Sequence, residues 1–249
     1  MTGSLKSRTD KLGRLLTGVS PIIVLIALLN TLGWLLLNDN YTSFLHPRFW
    51  PFLLLGALIL AGFILALLLS RPLLSANSSR ETTVKSIVIT VPLIFLYTVY
   101  GQGMGSHALS KKYTGNEPST PYVFSDGPPE ETAKESANGQ MSLLEINRLM
   151  TTLNGRQVLT EGFAHTDPNV PRDHILLFRF AIFCCAADAI PVWVFVKKAE
   201  MEAFEPETWV KVRGTFEVTS INGKTVPMIL ADTITKLELP SPGAQYLFF

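Results

Sequence analysis

Charge is scarce in this sequence. Asp, Glu, Lys and Arg together make up 16% of its 249 residues, against 47% hydrophobic residues, and the formal net charge is +1. Soluble domains carry roughly 25% charged residues, so a wholly water-exposed chain is a poor fit. Near-neutrality also excludes a strongly basic nucleic-acid binder. Cysteine is scarcer still, with two residues, both in one place, so a disulfide-stapled small fold is excluded. Three stretches lack charge altogether: about 19–37, 49–69 and 86–104. Those stretches show that the shortage of charge is local. Residues 141–249 have the mixed composition of an ordinary globular domain.

About 20 apolar residues cross the roughly 30 Å hydrocarbon core of a bilayer as a helix. The first two stretches meet that length. The third contains Pro92, Gly101 and Gly103, which membrane helices tolerate when neighbours satisfy the freed backbone groups. The expectation is three transmembrane helices. Lys6, Arg8, Lys11 and Arg14 precede the first, and Arg71, Arg80 and Lys85 lie between the second and third. Basic flanks stay in the cytoplasm, so the amino terminus is expected inside a bacterial cell membrane and everything after Met104 outside. The first stretch has a basic start, but Leu36-Leu37-Asn38-Asp39 offers no small-x-small cleavage site. It reads as a retained anchor rather than a cleaved signal peptide. Trp34, Tyr41, Phe49 and Trp50 flank the outer ends as an aromatic belt. No span carries Asp, Glu, Lys, Arg or His, the residues that mark ion pathways, so anchoring and helix docking are expected rather than solitary transport.

The domain limits expected from this are a cytoplasmic start at 1–18, the anchor at 19–104, a tether at 105–140 and an outer domain at 141–249. Within the tether, residues 111–140 hold four Pro and three Gly among small polar residues, with little to bury. The outer domain opens on Ser142-Leu143-Leu144-Glu145, a capping-box pattern, followed by Ile146, Leu149, Met150 and Leu153 at helical spacing. Strand patterns then run near 157–164, 175–184, 192–197, 209–218 and 226–236, and Asn222-Gly223 suits a hairpin turn. One short leading helix and five strands predict a small all-β domain, an OB-like five-stranded barrel; the chain as a whole is an α+β membrane protein. Such barrels often bind nucleic acid. Here ten Lys and Arg against twelve Asp and Glu over 141–249 give 10 − 12 = −2, the wrong sign for phosphate.

The distinctive stretch is Arg179-Phe180-Ala181-Ile182-Phe183-Cys184-Cys185-Ala186-Ala187-Asp188-Ala189. Alternation along a strand points Cys184 to the core and Cys185 away, unless the strand ends there and the chain turns toward Asp188. Three readings are open. The thiols are small buried hydrophobes, or a strained and reducible bond joins them, or they bind a soft metal such as Zn or Cu, or a metalloid, with Asp188 and a histidine completing the shell. His46 and His107 are expected on the same side of the membrane as the thiols, as are His165 and His174. The candidate metal ligands are therefore Cys184, Cys185, Asp188 and His46. Arg179, a lone charge in an apolar strand, is expected to reach solvent or to pair with Asp188 or Asp232. Motifs for hydrolases, nucleotide loops and metalloproteases are absent, so an enzyme is not expected.

The sequence resembles the YcgQ-type permease-subunit family of bacterial membrane proteins. Tyr41…His46-Pro47-Arg48-Phe49, Gly105-Ser106, Gly155-Arg156-Gln157-Val158…Gly162-Phe163, Arg179-Phe180…Cys184-Cys185-Ala186-Ala187-Asp188-Ala189-Ile190-Pro191 and Trp209-Val210-Lys211-Val212-Arg213-Gly214 carry the likeness. The Cys-Cys-Ala-Ala-Asp-Ala block is its most specific part. Gln245-Tyr246-Leu247 stands where a Pro-Tyr ending is usual. The resemblance implies an accessory subunit working with a separate multi-span permease of the organoarsenical-efflux-like type. It supplies no catalytic residues.

Overall fold

Which apolar runs become helix and which become strand is settled by period and branching. Leu-rich runs without alternation coil, and Val-, Phe- and Trp-rich runs with alternation extend. The computed structural model describes residues 23–69, 91–98, 104–105, 108–109, 139–166, 173–198, 204–205, 207–221 and 224–249. The chain divides into two units, Met1–Gln102 and Gly103–Phe249.

In the first unit, α1 spans Ile23–Leu37 and α2 spans Trp50–Leu69. Residues 91–98 are helical and form α3. A short turn, Pro47–Phe49, leads into α2, and Pro47 opens it, where a missing N–H costs nothing. Among the described residues one helix, Pro47–Leu69, is long and apolar enough to cross a membrane. Only 6% of its most apolar window is buried in the chain, so it is no core helix of a soluble fold. Ile23–Leu37 is a shorter apolar helix, and of the third expected span only 91–98 and Met104 fall in the described residues. α1 and α3 meet through polar and aromatic groups. Thr31 and Tyr97 share a hydrogen bond of 3.3 Å between their hydroxyls, and the rings of Trp34 and Tyr97 lie 5.2 Å apart. The basic residues that set the expected orientation, and the tether from 111 to 138, lie outside the described residues.

The second unit begins with a helix fixed by its own sequence. Ser142 accepts from the Glu145 N–H at 3.2 Å, and the Glu145 carboxylate accepts from the Ser142 N–H at 2.7 Å. This capping box starts α4, Leu143–Arg148, and α5, Met150–Leu153, follows. Then come β1 Gln157–His165, β2 His174–Ile182, β3 Ile190–Lys197, β4 Thr208–Ile221, β5 Lys224–Lys236 and the two-residue β6 Leu247–Phe248. The first five strands close in the cyclic order β1-β2-β3-β5-β4, with β3 parallel to β5 and the other pairs antiparallel. This is a closed five-stranded barrel with the OB strand order. Ile221 pairs with Lys224 across the expected Asn-Gly turn, whose two residues lie outside the described ones.

The two faces of the barrel wall carry different residues. Val194, Val196, Val210, Val212 and Ile229 fill the inside, plugged at one end by Leu143 and Ile146 of α4. Asn147 on that helix donates to the backbone carbonyl of Trp193 at 3.2 Å, tying the plug to β3. Gly214 lies at a register shift between β4 and β5, where a Cβ would sit 2.1 Å from the Leu230 carbonyl oxygen. Only glycine lets the strands close there.

The outer face carries Phe163, Phe178, Phe180, Trp193, Phe195 and Trp209, in line with the polar Glu161, Lys211 and Arg213. Each of the six aromatics is at most 2% exposed. Leu109, with Met104 and Ala108, packs against this cluster, as do Tyr246 and Phe248. The Met104 N–H donates to the Tyr246 hydroxyl at 3.0 Å. OB barrels that hold oligonucleotides or oligosaccharides use the outer face of β2 and β3. In this chain that face is buried beneath the chain's own residues.

Candidate metal centre

β2 ends at Ile182 and not at Cys184. The expected alternation stops because Asp188 turns back onto the strand end and collects its N–H groups. Phe183 donates to Asp188 Oδ1 at 3.1 Å, and Cys184 and Cys185 donate to Oδ2 at 2.8 and 3.3 Å. A short helical turn, Ala186–Asp188, brings the carboxylate into place, and β3 starts two residues later. Of the two arrangements open in the sequence, the structure adopts the one in which the chain turns toward Asp188. The residues between β2 and β3 are a loop, so both thiols leave the barrel wall.

Both cysteines are half-buried and free. The Cys184 thiol donates to Asp188 Oδ2 at 2.6 Å. One ligand atom each from Cys184, Cys185 and Asp188 lie within 4.8 Å of one another. Among the described residues no other three His, Cys, Asp or Glu side chains converge in this way. The bond to Asp188, then desolvation and the neighbouring Cys185, pushes the Cys184 thiol up to about 11. The same bond, with the three N–H groups, holds the Asp188 carboxyl below the usual carboxylate range despite partial burial. At neutral pH the resting pair is therefore a neutral thiol on a carboxylate.

Three of the four candidate ligands are thus brought together. His46 belongs to the first unit, where its Nδ1 accepts from the Arg48 N–H at 3.1 Å. The other histidines are elsewhere. His165 meets the edge of Phe178, His174 bonds Asp173 at 2.7 Å, and His107 lies outside the described residues. Arg179 pairs with neither Asp188 nor Asp232. Its Nε donates to the Gln245 carbonyl at 3.1 Å, and its Nη2 donates to those of Ala244 and Tyr246 at 2.6 and 2.9 Å. Its guanidinium also stands 5.2 Å from the Trp209 ring centroid. Burial lowers it to about 10, which leaves it charged at neutral pH. Asp232 instead accepts from Gln157 at 3.1 Å.

Sequence reasoning missed two parts of this region. One is β6, which pairs parallel with the end of β2 (Ala181 with Leu247, Ile182 with Phe248) beyond the three-residue contact of β1 with β2. The other is Phe183. It stands 60% exposed beside the thiols, its ring 6.3 Å from that of Phe249.

Residues 135–249 match the family model described as the DUF1980 C-terminal domain. No curated protein matches the chain. Among solved structures, the chain is similar to a Leishmania major Friedlin protein assigned as an aspartyl-tRNA synthetase, at 15% identity and a TM-score of 0.28. The match covers 52% of this chain and spans only 25% of the length of that one.

Proposed function

We propose that this chain is a non-enzymatic, membrane-anchored accessory subunit whose barrel offers an exchangeable soft-metal site to a separate multi-span permease. The observation that carries the reading is the convergence of two thiols and a carboxylate on an accessible loop. The barrel's customary ligand face is meanwhile filled by the chain's own residues. Two sulfurs with one oxygen suit Zn(II) better than Cu(I), because a hard carboxylate adds little to a soft monovalent ion. Three donors where zinc takes four leave a position open, which is what a site that passes its metal on requires. Three spans with basic cytoplasmic flanks would anchor the barrel outside a bacterial cell membrane, where the permease is its partner. A thiolate nucleophile is a poorer reading, since the Cys184 thiol is raised to about 11 and stays protonated at neutral pH.

The raised thiol fixes the sign of the pH dependence. Metal ligation needs thiolates, so binding at neutral pH displaces at least the Cys184 proton, and affinity rises with pH. Titrating Zn(II) into reduced full-length protein in detergent at several pH values should give one metal per chain. Each proton released makes the apparent affinity change about tenfold per pH unit. A pH-independent affinity between neutrality and pH 9, or the absence of binding, would count against the reading.

A further inference from the structure

The sequence has no cysteine besides these two, so any disulfide within one chain must join neighbours. The two sulfurs lie within 4.8 Å of one another and of a carboxylate oxygen of Asp188. The named strands stop at Ile182 and resume at Ile190, so both cysteines lie in the connection between β2 and β3. Both side chains are partly exposed, so a small oxidant reaches them.

We infer that Cys184 and Cys185 close reversibly into a vicinal disulfide, and that closure takes both sulfurs away from the metal. The second half of this inference rests on the metal reading above, and the first half does not. Adjacent Cα atoms lie about 3.8 Å apart, short of the roughly 4.4–6.8 Å that disulfides normally span. The ring is therefore strained. Strained, exposed disulfides have the more oxidising potentials found in labile and regulatory bonds, so this one opens again under mild reduction.

The oxidant is a low-molecular-weight disulfide, and the exchange balances. The Cys185 thiolate attacks one sulfur of the oxidant, forming a mixed disulfide and expelling one small thiolate. Cys184 then attacks the Cys185 sulfur. Its proton goes to the second small thiolate as it departs. The two cysteines lose two electrons and two hydrogens, and the oxidant becomes two small thiols.

The test uses full-length protein in detergent, exposed to oxidised glutathione and then followed by intact mass, alkylation and Zn(II) titration. The expected product is a monomer that has lost two hydrogens, takes up no alkylating agent and binds Zn(II) at least a hundredfold more weakly. A mild dithiol restores two alkylatable thiols and the original affinity. Cys184→Ser should stop at a mixed disulfide on Cys185. Two free thiols after oxidation, a persistent glutathione adduct on the unaltered chain, or a cross-linked dimer would overturn the disulfide. Unchanged Zn(II) affinity in the oxidised monomer would overturn its control of the site. Reduced protein that binds no Zn(II), yet closes the ring, would remove the metal reading alone.

Discussion

Cys184→Ser combined with Cys185→Ser abolishes zinc binding while the barrel stays folded. A hydroxyl is a far weaker zinc ligand than a thiolate, and the change removes two of the three donors that converge. Altering groups that merely support metal ligands costs about 10–100-fold in affinity, so losing two ligands should cost more than about 100-fold. The fold should be indifferent. Both residues lie beyond the last ladder pair of β2 and neither is in the core. Serine also keeps the two backbone N–H groups that Asp188 collects. Calorimetric titration should show the loss, and an unchanged circular dichroism melt should show that structure is retained. Zinc affinity within a few-fold of the parent would remove the thiols from the site.

Arg179→Ala has the largest expected effect on stability. The side chain crosses Gly162, whose absent Cβ leaves room; a Cβ there would stand 3.2 Å from Arg179 Cγ. It then gathers three consecutive carbonyls, those of Ala244, Gln245 and Tyr246. A hydrogen bond to a charged group contributes about 1.5–3 kcal/mol, and stranding a buried acceptor costs about 1–3 kcal/mol. Overlap among the three bonds makes a total near 3 kcal/mol reasonable. The melting temperature of the second unit should fall by several degrees. Residues 242–249 should lose protection from amide exchange first, because β6 depends on them. Arg179→Lys should recover only part, since one ammonium cannot present the planar fork that reaches three carbonyls at once. Unaltered stability of the alanine variant would mean that these residues hold to β2 without the guanidinium.

Much of the barrel was legible because its strands obey simple periods. The expected stretches at 157–164, 192–197, 209–218 and 226–236 fall inside β1, β3, β4 and β5. The Ser142–Glu145 pattern forms the capping box it implies. β2 was harder. Its residues are apolar on both faces, because the outer face is covered by Leu109 and Tyr246 as well as by neighbouring strands. An uninterrupted run of that kind hides its own end, so the expected strand ran two residues past Ile182. β6 left no signal for a related reason. Two apolar residues have no period, and their pairing depends on the place where β1 leaves β2. Arg179 was expected to reach solvent or an acid, whereas backbone carbonyls satisfy it, and sequence does not display those. Asp188 lies near both thiols, and its visible part is structural: it collects the N–H groups beyond the end of β2. In the first unit, Leu-rich runs without charge identify apolar helices but not their limits. Pro47–Leu69 is the one helix of spanning length among the described residues.

X-ray absorption at the zinc edge of the reduced, full-length protein in detergent tests the metal centre most directly. Two sulfur neighbours at about 2.3 Å and the remaining light-atom neighbours at about 2.0–2.2 Å are expected. Protein that retains no zinc after purification in its presence, or a shell of nitrogen and oxygen alone, would contradict a centre built on Cys184, Cys185 and Asp188.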